Sequence, residues 1–307
     1  MKNYSPISFD VKNNKFSAIP VNGSYETKGP LSVGFQITRK CNLKCVYCSE
    51  PFSGQEELDL PEIEKIMGNL ASGDTRVVKL TGGEPLLRQD IFDIAGIIKS
   101  FGMHVAIDTN ATLIDGPTAK LMSEKLMYVE TTLDGTEEMH NKIRGNYRQV
   151  LKGIDNLSKY DIDIFLATIV LENPVENIRA VIDFSRNYNI KTLKIMSPIP
   201  KGRGKDVLAE YTGNQSVVDY WESVCEYKKR VNPGLKLILL DWTKIGPGSV
   251  ILIQPDGRVV GSPSIGEAGC ITPLGNLRHE SILTMWDAYK YKSNHICKCL
   301  EQTVYWR

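Results

Sequence analysis

The feature that most constrains this chain is a rhythm. Short runs rich in β-branched residues recur at Val33 to Thr38, Val77 to Thr81, His104 to Asp108, Tyr128 to Leu133, Ile162 to Leu171 and Lys191 to Met196. Between them apolar residues return at helical spacing: Ile63, Ile66, Met67 and Leu70 match i, i+3, i+4, i+7, and so do Ile91, Ile94, Ala95 and Ile98. The spacing continues at Val150, Ile154 and Leu157 and at Ile178, Val181 and Ile182, and Pro61 suits the first turn of its helix. Strand and helix alternating in this way call for a parallel sheet, because each right-handed crossover returns the chain to the same side. The expected fold is α/β, a partial (β/α)6 barrel of TIM type over residues 31–200, with an extension over 1–30 before it.

After Pro198 the rhythm is expected to stop. Pro198, Pro200, Gly202 and Gly204 punctuate a loop carrying Lys201, Arg203 and Lys205, read either as a solvated charge run or as a meeting point for an acidic substrate. A helix is expected at about Val217 to Val231, with Val217, Val218, Trp221 and Cys225 on one face. Ile251 to Gln254 and Arg258 to Val260 flank Pro255, Asp256 and Gly257 and predict a hairpin, and a last helix is expected around Ser281 to Tyr291. Residues 201–307 thus read as a small α+β domain.

Charge narrows the partners. With 37 Lys and Arg against 36 Asp and Glu in 307 residues, the net charge is +1, and no basic surplus exists to neutralise a nucleic acid backbone. Apolar stretches such as Leu235 to Leu240 reach only a strand's length, far below the ~20 residues that cross a bilayer. Met1 to Pro6 lacks the apolar core of an export signal, so a cytoplasmic address and no membrane partner are expected.

The chain has seven cysteines, and six of them form two groups: Cys41, Cys45 and Cys48, then Cys270, Cys297 and Cys299. An odd number without an export signal argues for reduced thiols that bind metal or do redox chemistry. In parallel barrels ligands bind at the carboxyl ends of strands. The first cysteine group follows the first predicted strand, Thr81 to Pro85 ends the second, Asp108 to Asn110 the third, and Thr132 to Gly135 the fourth, with His140 and Arg144 beyond. Three thiols spaced CxxxCxxC on one loop wrap a metal centre but leave one coordination position open. Structural zinc ordinarily takes four protein ligands, so zinc fits only if a distant residue completes the site. An iron–sulfur cubane with one open iron matches three cysteines directly.

The cysteine spacing, placed after a first strand and before Gly82-Gly83-Glu84-Pro85, resembles the signature of the radical S-adenosylmethionine (radical SAM) superfamily over about Leu31 to Met196. The resemblance implies a [4Fe-4S] cluster on Cys41, Cys45 and Cys48 whose open iron chelates SAM. It also implies one-electron cleavage of the sulfonium, and a 5′-deoxyadenosyl radical that abstracts hydrogen from a substrate. Gly82, Gly83, Glu84 and Pro85 are expected to receive the methionyl amino group, Thr109 and Asn110 the ribose hydroxyls, Thr132 and Arg144 the ribose and carboxylate, and Tyr47 the adenine, with loop stiffening as the alternative role of Tyr47. Asp134 reads as a turn former and His140 as a helix-surface residue. The tail, with Pro-Asp-Gly-Arg-Val and Gly-Asn-Leu-Arg, resembles the extensions called SPASM and Twitch, although Ser262 stands where these often carry cysteine. Cys270, Cys297 and Cys299 are then expected to hold one auxiliary [4Fe-4S] cluster, with zinc or no metal as alternatives. Cys225 reads as core packing, with auxiliary ligation or hydrogen donation as the rivals.

Relatives of this kind mature ribosomal peptides or build cofactors. Peptide maturation is the first expectation for function. Dehydrogenation or epimerisation of a small metabolite or cofactor precursor is the main alternative, and a non-catalytic iron–sulfur or zinc scaffold the third. A reducing partner such as flavodoxin or ferredoxin is implied.

Overall fold

The structure is a computed structural model, and it describes residues 8–10, 15–17, 27–50, 56–169, 171, 174–188, 190–199, 201–211, 217–240, 250–262 and 272–292. A two-stranded hairpin, β1 (Ser8–Asp10) and β2 (Lys15–Ser17), comes first. The expected alternation follows: β3 (Ser32–Thr38), α1 (Leu60–Ser72), β4 (Val77–Gly82), α2 (Ile91–Ser100), β5 (His104–Thr109), α3 (Gly116–Lys125) and β6 (Tyr128–Thr132). Then come α4 (Glu137–Ile143), α5 (Tyr147–Leu157), β7 (Asp163–Ile169), α6 (Pro174–Asn187) and β8 (Thr192–Met196). Neighbours from β3 to β8 pair in parallel.

The rhythm does not stop after Pro198. Helices α7 (Gly204–Tyr211) and α8 (Val217–Val231) lead into β9 (Lys236–Leu240), which pairs in parallel with β8. The physical reason is the apolar stripe of α8, where Trp221, Val224 and Cys225 are buried in the common core beside Val181 and Ile182 of α6. The proline and glycine loop is therefore a long crossover connection. Cys225 packs in this core, as expected.

The expected hairpin forms as β10 (Val250–Ile253) and β11 (Arg258–Ser262), with Gly257 at φ +84° in its turn, and continues into β12 (Thr272–Asn276) and α9 (Ile282–Ala288). Instead of staying within a separate small domain, β10 joins the barrel sheet in parallel beside β3. Among the described residues the main sheet has ten strands, ordered β12-β11-β10-β3-β4-β5-β6-β7-β8-β9.

Alternation along the strands separates two faces. Val33, Phe35, Ile37, Val78, Leu80, Val105, Ile107, Val129, Leu166, Leu193 and Ile195 are buried against Ile63, Ile66, Met67, Leu70, Ile94, Ile98, Val150 and Ile154 of the helices. Each such fully buried aliphatic side chain contributes roughly 1.5–3 kcal/mol. Helix α1 starts where Asp59 accepts from the Glu62 amide at 2.9 Å while Glu62 accepts from the Asp59 amide at 3.1 Å, a reciprocal cap with Pro61 in the first turn. The opposite, inner face carries Gln36, Lys79, Asp108, Glu130 and Lys194, where an ordinary barrel interior is filled by branched aliphatics.

Candidate active site at the carboxyl ends of the strands

The cysteine loop leaves β3 at Thr38. Cys45 is buried, and Cys41 and Cys48 are half-buried free thiols. The Leu43 amide donates to Cys41 Sγ at 3.4 Å, and the Cys48 amide donates to the Cys45 carbonyl at 3.2 Å. Burial raises the thiols of Cys41 and Cys45 above the ordinary value. Arg144 opposes this at Cys45, and the other two sulfurs add to the rise at Cys41. The three thiols lie on one loop close enough to influence one another, and among the described residues no group of three Cys, His, Asp or Glu is closed tightly enough to grip a metal as it stands.

The Gly82 to Pro85 segment clamps this loop at its root. The Gly83 amide donates to the Thr38 carbonyl at 2.9 Å and the Glu84 amide to the Lys40 carbonyl at 2.8 Å. A Cβ on Gly82, which sits at φ +147°, would lie 2.2 Å from the Thr38 carbonyl oxygen, and one on Gly83 would lie 2.2 Å from that of Lys40. Both glycines are therefore demanded by backbone approaching backbone, independent of any ligand. Gly83→Ala is expected to lower stability by about 1–3 kcal/mol through overpacking. Gly96→Ala, in the middle of α2 where a Cβ meets nothing within 4 Å, is the contrasting case and is expected to gain about 0.5–1 kcal/mol in urea unfolding.

Glu84 is fully buried and spans strand ends. Its carboxylate accepts from Thr109 Oγ1 at 2.7 Å, from the Asn110 amide at 2.7 Å and from the Leu86 amide at 3.0 Å. Burial raises its pKa against these three bonds, which lower it. Asn110 Nδ2 in turn donates to Asn42 Oδ1 at 2.8 Å, and Asn42 Nδ2 to Thr112 Oγ1 at 2.9 Å. Glu84, Thr109 and Asn110 are brought together by bonds to one another, and they tie the ends of β4 and β5 to the cysteine loop. Pro85 opens a single 3-10 turn behind Glu84.

A second tie comes from the end of β6. Tyr47 donates its hydroxyl proton to Asp134 Oδ2 at 2.6 Å, and the Arg144 guanidinium donates to the Tyr47 oxygen and, at 3.2 Å, to Asp134 Oδ2. Arg144 also lies 5.5 Å from the Tyr47 ring centre. Asp134 Oδ1 accepts from the Ile169 amide at 2.7 Å on β7, and the Val46 amide donates to the Ile143 carbonyl at 2.9 Å. Asp134 is thus a hub for four elements instead of a simple turn former. His140 is fully buried instead of lying on a helix surface, and its Nδ1 accepts from the Asp134 amide at 3.1 Å. Burial holds it neutral, with a pKa lowered to about 4. A four-residue step from Thr136 turns this face of α4 inward, and the shortness of the helix hid that signal. Thr132 closes β6 half-buried, with no bond to Arg144 among those described.

One contact escaped the sequence reading. The glycine-punctuated loop after β8 seats on the far end of the cysteine loop: the Arg203 amide donates to the Cys48 carbonyl at 3.0 Å, and Lys201 pairs with Glu50 at 2.7 Å. A Cβ on Gly202 would lie 2.7 Å from the Ser49 carbonyl oxygen. Cys270, Cys297 and Cys299 lie outside the described residues.

A parallel α/β sheet that presents three thiols on one loop, locked by a Gly-Gly-Glu turn at the carboxyl ends of its strands, fits the class of fold that the cysteine spacing resembles. Residues 35–185 match the model of the Radical SAM superfamily, and the chain belongs to that superfamily. It is 33% identical over 190 residues to Fe-coproporphyrin III synthase of Methanosarcina barkeri, covering 60% of this chain and 47% of that protein. It is 30% identical over 177 residues to a probable GTP 3′,8-cyclase of Methanococcus maripaludis, covering 55% and 59%. The chain therefore spans about half the length of these curated relatives. Its fold is similar to that of Streptococcus suis SuiB bound to precursor peptide SuiA, with a TM-score of 0.69 at 14% identity over 87% of this chain and 66% of that one.

The superfamily's cofactors are a [4Fe-4S] cluster and SAM. The donor set fits the cluster: three free thiols on one loop, Cys45 buried and Cys41 and Cys48 half-buried, with the Arg144 guanidinium favouring the thiolate of Cys45. Burial that raises the thiols of Cys41 and Cys45 makes cluster uptake release protons there.

Proposed function

We propose that the chain is a radical enzyme that cleaves SAM reductively and abstracts hydrogen from a small metabolite or cofactor precursor. When bound, the cluster on Cys41, Cys45 and Cys48 supplies one electron to SAM and so a carbon radical on its nucleoside. The chain's own residues hold the geometry. The Gly83 and Glu84 amides fix the loop root, Tyr47 fixes its middle, and the Arg203 amide fixes its end. Seating that loop against the ends of β4, β5 and β6 and the loop after β8 buries Leu43 and Cys45 and limits the access of water and competing hydrogen donors. The convergence of these ties on one three-thiol loop is the observation that carries the reading.

Maturation of a ribosomal peptide, the first expectation from sequence, is the rival. The likeness to SuiB supports the fold alone. A charged inner face and relatives named for porphyrin and nucleotide chemistry favour a small molecule. With the barrel sheet continuing through β9, the SPASM- or Twitch-like part of this reading is the chain beyond it, in which Cys270, Cys297 and Cys299 hold one auxiliary [4Fe-4S] cluster. A flavodoxin or ferredoxin is the electron donor in this reading. No helix among the described residues is long and apolar enough to cross a membrane, which fits a cytoplasmic setting. The test is anaerobic reconstitution with dithionite and SAM: release of 5′-deoxyadenosine is expected, and its absence from a chain loaded with iron and sulfide would refute the proposal. Cys270→Ala is expected to lower the iron count, and unchanged iron would remove the auxiliary cluster.

A further inference from the structure

The inner face of the sheet holds an ion network that the site above does not use. Lys79 on β4 lies 2.8 Å from Asp108 on β5 and 3.3 Å from Glu130 on β6. Lys194 on β8 donates to the same Glu130 oxygen. Glu130 is the buried anchor at 9% side-chain exposure, whereas Lys79 and Asp108 keep 26% and 34%, so the network opens to the lumen at those two residues. Lys236 is half-buried on β9 and shares this face, because Thr192 pairs with Lys236 and Lys194 with Ile238 in the register.

Lys194 and Lys236 stand on adjacent strands and Lys79 reaches the same Glu130 from β4, and ammonium groups brought together in a low dielectric are costly. The cost is visible locally. Lys236 is lowered to about 8, first by burial and then by the Lys194 ammonium, so the potential at that point is positive. Burial raises Asp108 to about 6 against the pull of Lys79, which makes it the carboxylate most readily displaced. At Glu130 the balance is reversed, since Lys194 and Lys79 outweigh burial and lower it to about 2. Gln36, on the same face of β3, keeps a buried amide oxygen without a hydrogen-bond partner. Beside the charges stand apolar surfaces. Tyr128 and Phe165 stack at 4.5 Å, and Met196 packs on Ile238 and Leu240.

We infer that this face is the recognition site for an oxyanion, a carboxylate or a phosphate, on a small substrate with an apolar or aromatic frame, gripped by Lys79, Lys194 and Lys236. The inference rests on the proposed function and deepens it by naming the substrate class. In this arrangement Glu130 orients two lysines, and the incoming oxyanion takes the place of Asp108 on Lys79. Lys79 sits three residues before Gly82 on β4, roughly 10 Å along the strand. A molecule of metabolite size anchored there spans the distance to the cysteine-loop end of the barrel.

The experiment is calorimetric titration of the reconstituted full-length chain, under anaerobic conditions, with inorganic phosphate, benzoate and benzamide. At least one anion is expected to bind and the neutral benzamide is not. Binding of phosphate alone identifies a phosphoryl substrate, and binding of benzoate alone identifies a carboxylate on an aromatic frame. Lys236→Gln and Lys79→Gln are each expected to weaken the bound anion about tenfold, the size of one charge-assisted hydrogen bond. Lys236→Arg, which keeps the charge, is expected to restore binding, and this separates charge recognition from damage to the fold. Failure of both anions to bind, equal binding of benzamide, or wild-type affinity in the glutamine variants would each overturn the inference. Iron loading and SAM cleavage by the wild type report on the proposed function alone, so the two fail separately.

Discussion

Replacing Cys41, Cys45 and Cys48 together by alanine abolishes 5′-deoxyadenosine formation and leaves the barrel folded. The two halves of this expected result have separate causes. The three thiols are the only protein donors assigned to the cluster, so their loss removes electron delivery to SAM entirely rather than by a factor. Their structural contribution is small: Cys41 and Cys48 are half-buried, and the bonds they make stay within the loop, to Leu43 and Glu50. Only Cys45 is buried, and trimming its sulfur costs about 1 kcal/mol. The loop keeps the amide bonds of Val46, Gly83, Glu84 and Arg203 that set its path. Circular dichroism and urea unfolding check the fold, chromatography checks the nucleoside product, and iron analysis checks the rest. Iron remaining on the triple variant measures the proposed auxiliary cluster without interference from the first. Surviving turnover would contradict the assignment of these cysteines.

Much of the fold was legible because periodicity reports directly on burial. Ile63, Ile66, Met67 and Leu70 are the buried positions of α1, and Ile91, Ile94, Ala95 and Ile98 those of α2, as their spacing demands. What followed Pro198 was obscured because proline and glycine mark a loop equally well whether it ends a domain or leads to another crossover, as α8 and β9 do here. Local pattern says little about which edge of a sheet a hairpin joins, and β10 beside β3 is a contact across most of the chain. Motif spacing located the cysteine loop, while the partners that hold it were hidden for a different reason. Asp134 looks like any Asp-Gly turn until Tyr47, 87 positions away, meets it, and His140 looks polar and exposed until α4 is seen end-on against β6. The inner-face charges gave no helical or strand signal, because single lysines and carboxylates on separate strands form a network only when the sheet curves.

Asp134→Ala is expected to be the most destabilising single substitution near the site. Asp134 is fully buried and Arg144 keeps only 10% side-chain exposure, so removing the carboxylate strands a cation in a dry setting. Breaking a buried pair from one side costs about 3–5 kcal/mol. The Ile169 amide loses its acceptor at the same time, and Tyr47 loses the oxygen to which its proton is directed. Asp134→Asn keeps an acceptor for Ile169 and the side-chain volume, but its amide nitrogen cannot accept the Tyr47 proton and turns a donor toward Arg144, so it loses the charge compensation and keeps only one of the bonds. Tyr47→Phe removes the hydroxyl yet leaves the 3.2 Å contact between Arg144 and Asp134 in place. The expected order of loss is therefore Asp134→Ala, then Asp134→Asn, then Tyr47→Phe, measured by urea unfolding of the metal-free chain. Because Tyr47 lies between Cys45 and Cys48, the same order is expected in the rate at which reconstituted protein gives up iron to a mild chelator. If Asp134→Ala unfolds at the wild-type urea midpoint, Asp134 and Arg144 are bystanders and the loop is held by its backbone bonds alone.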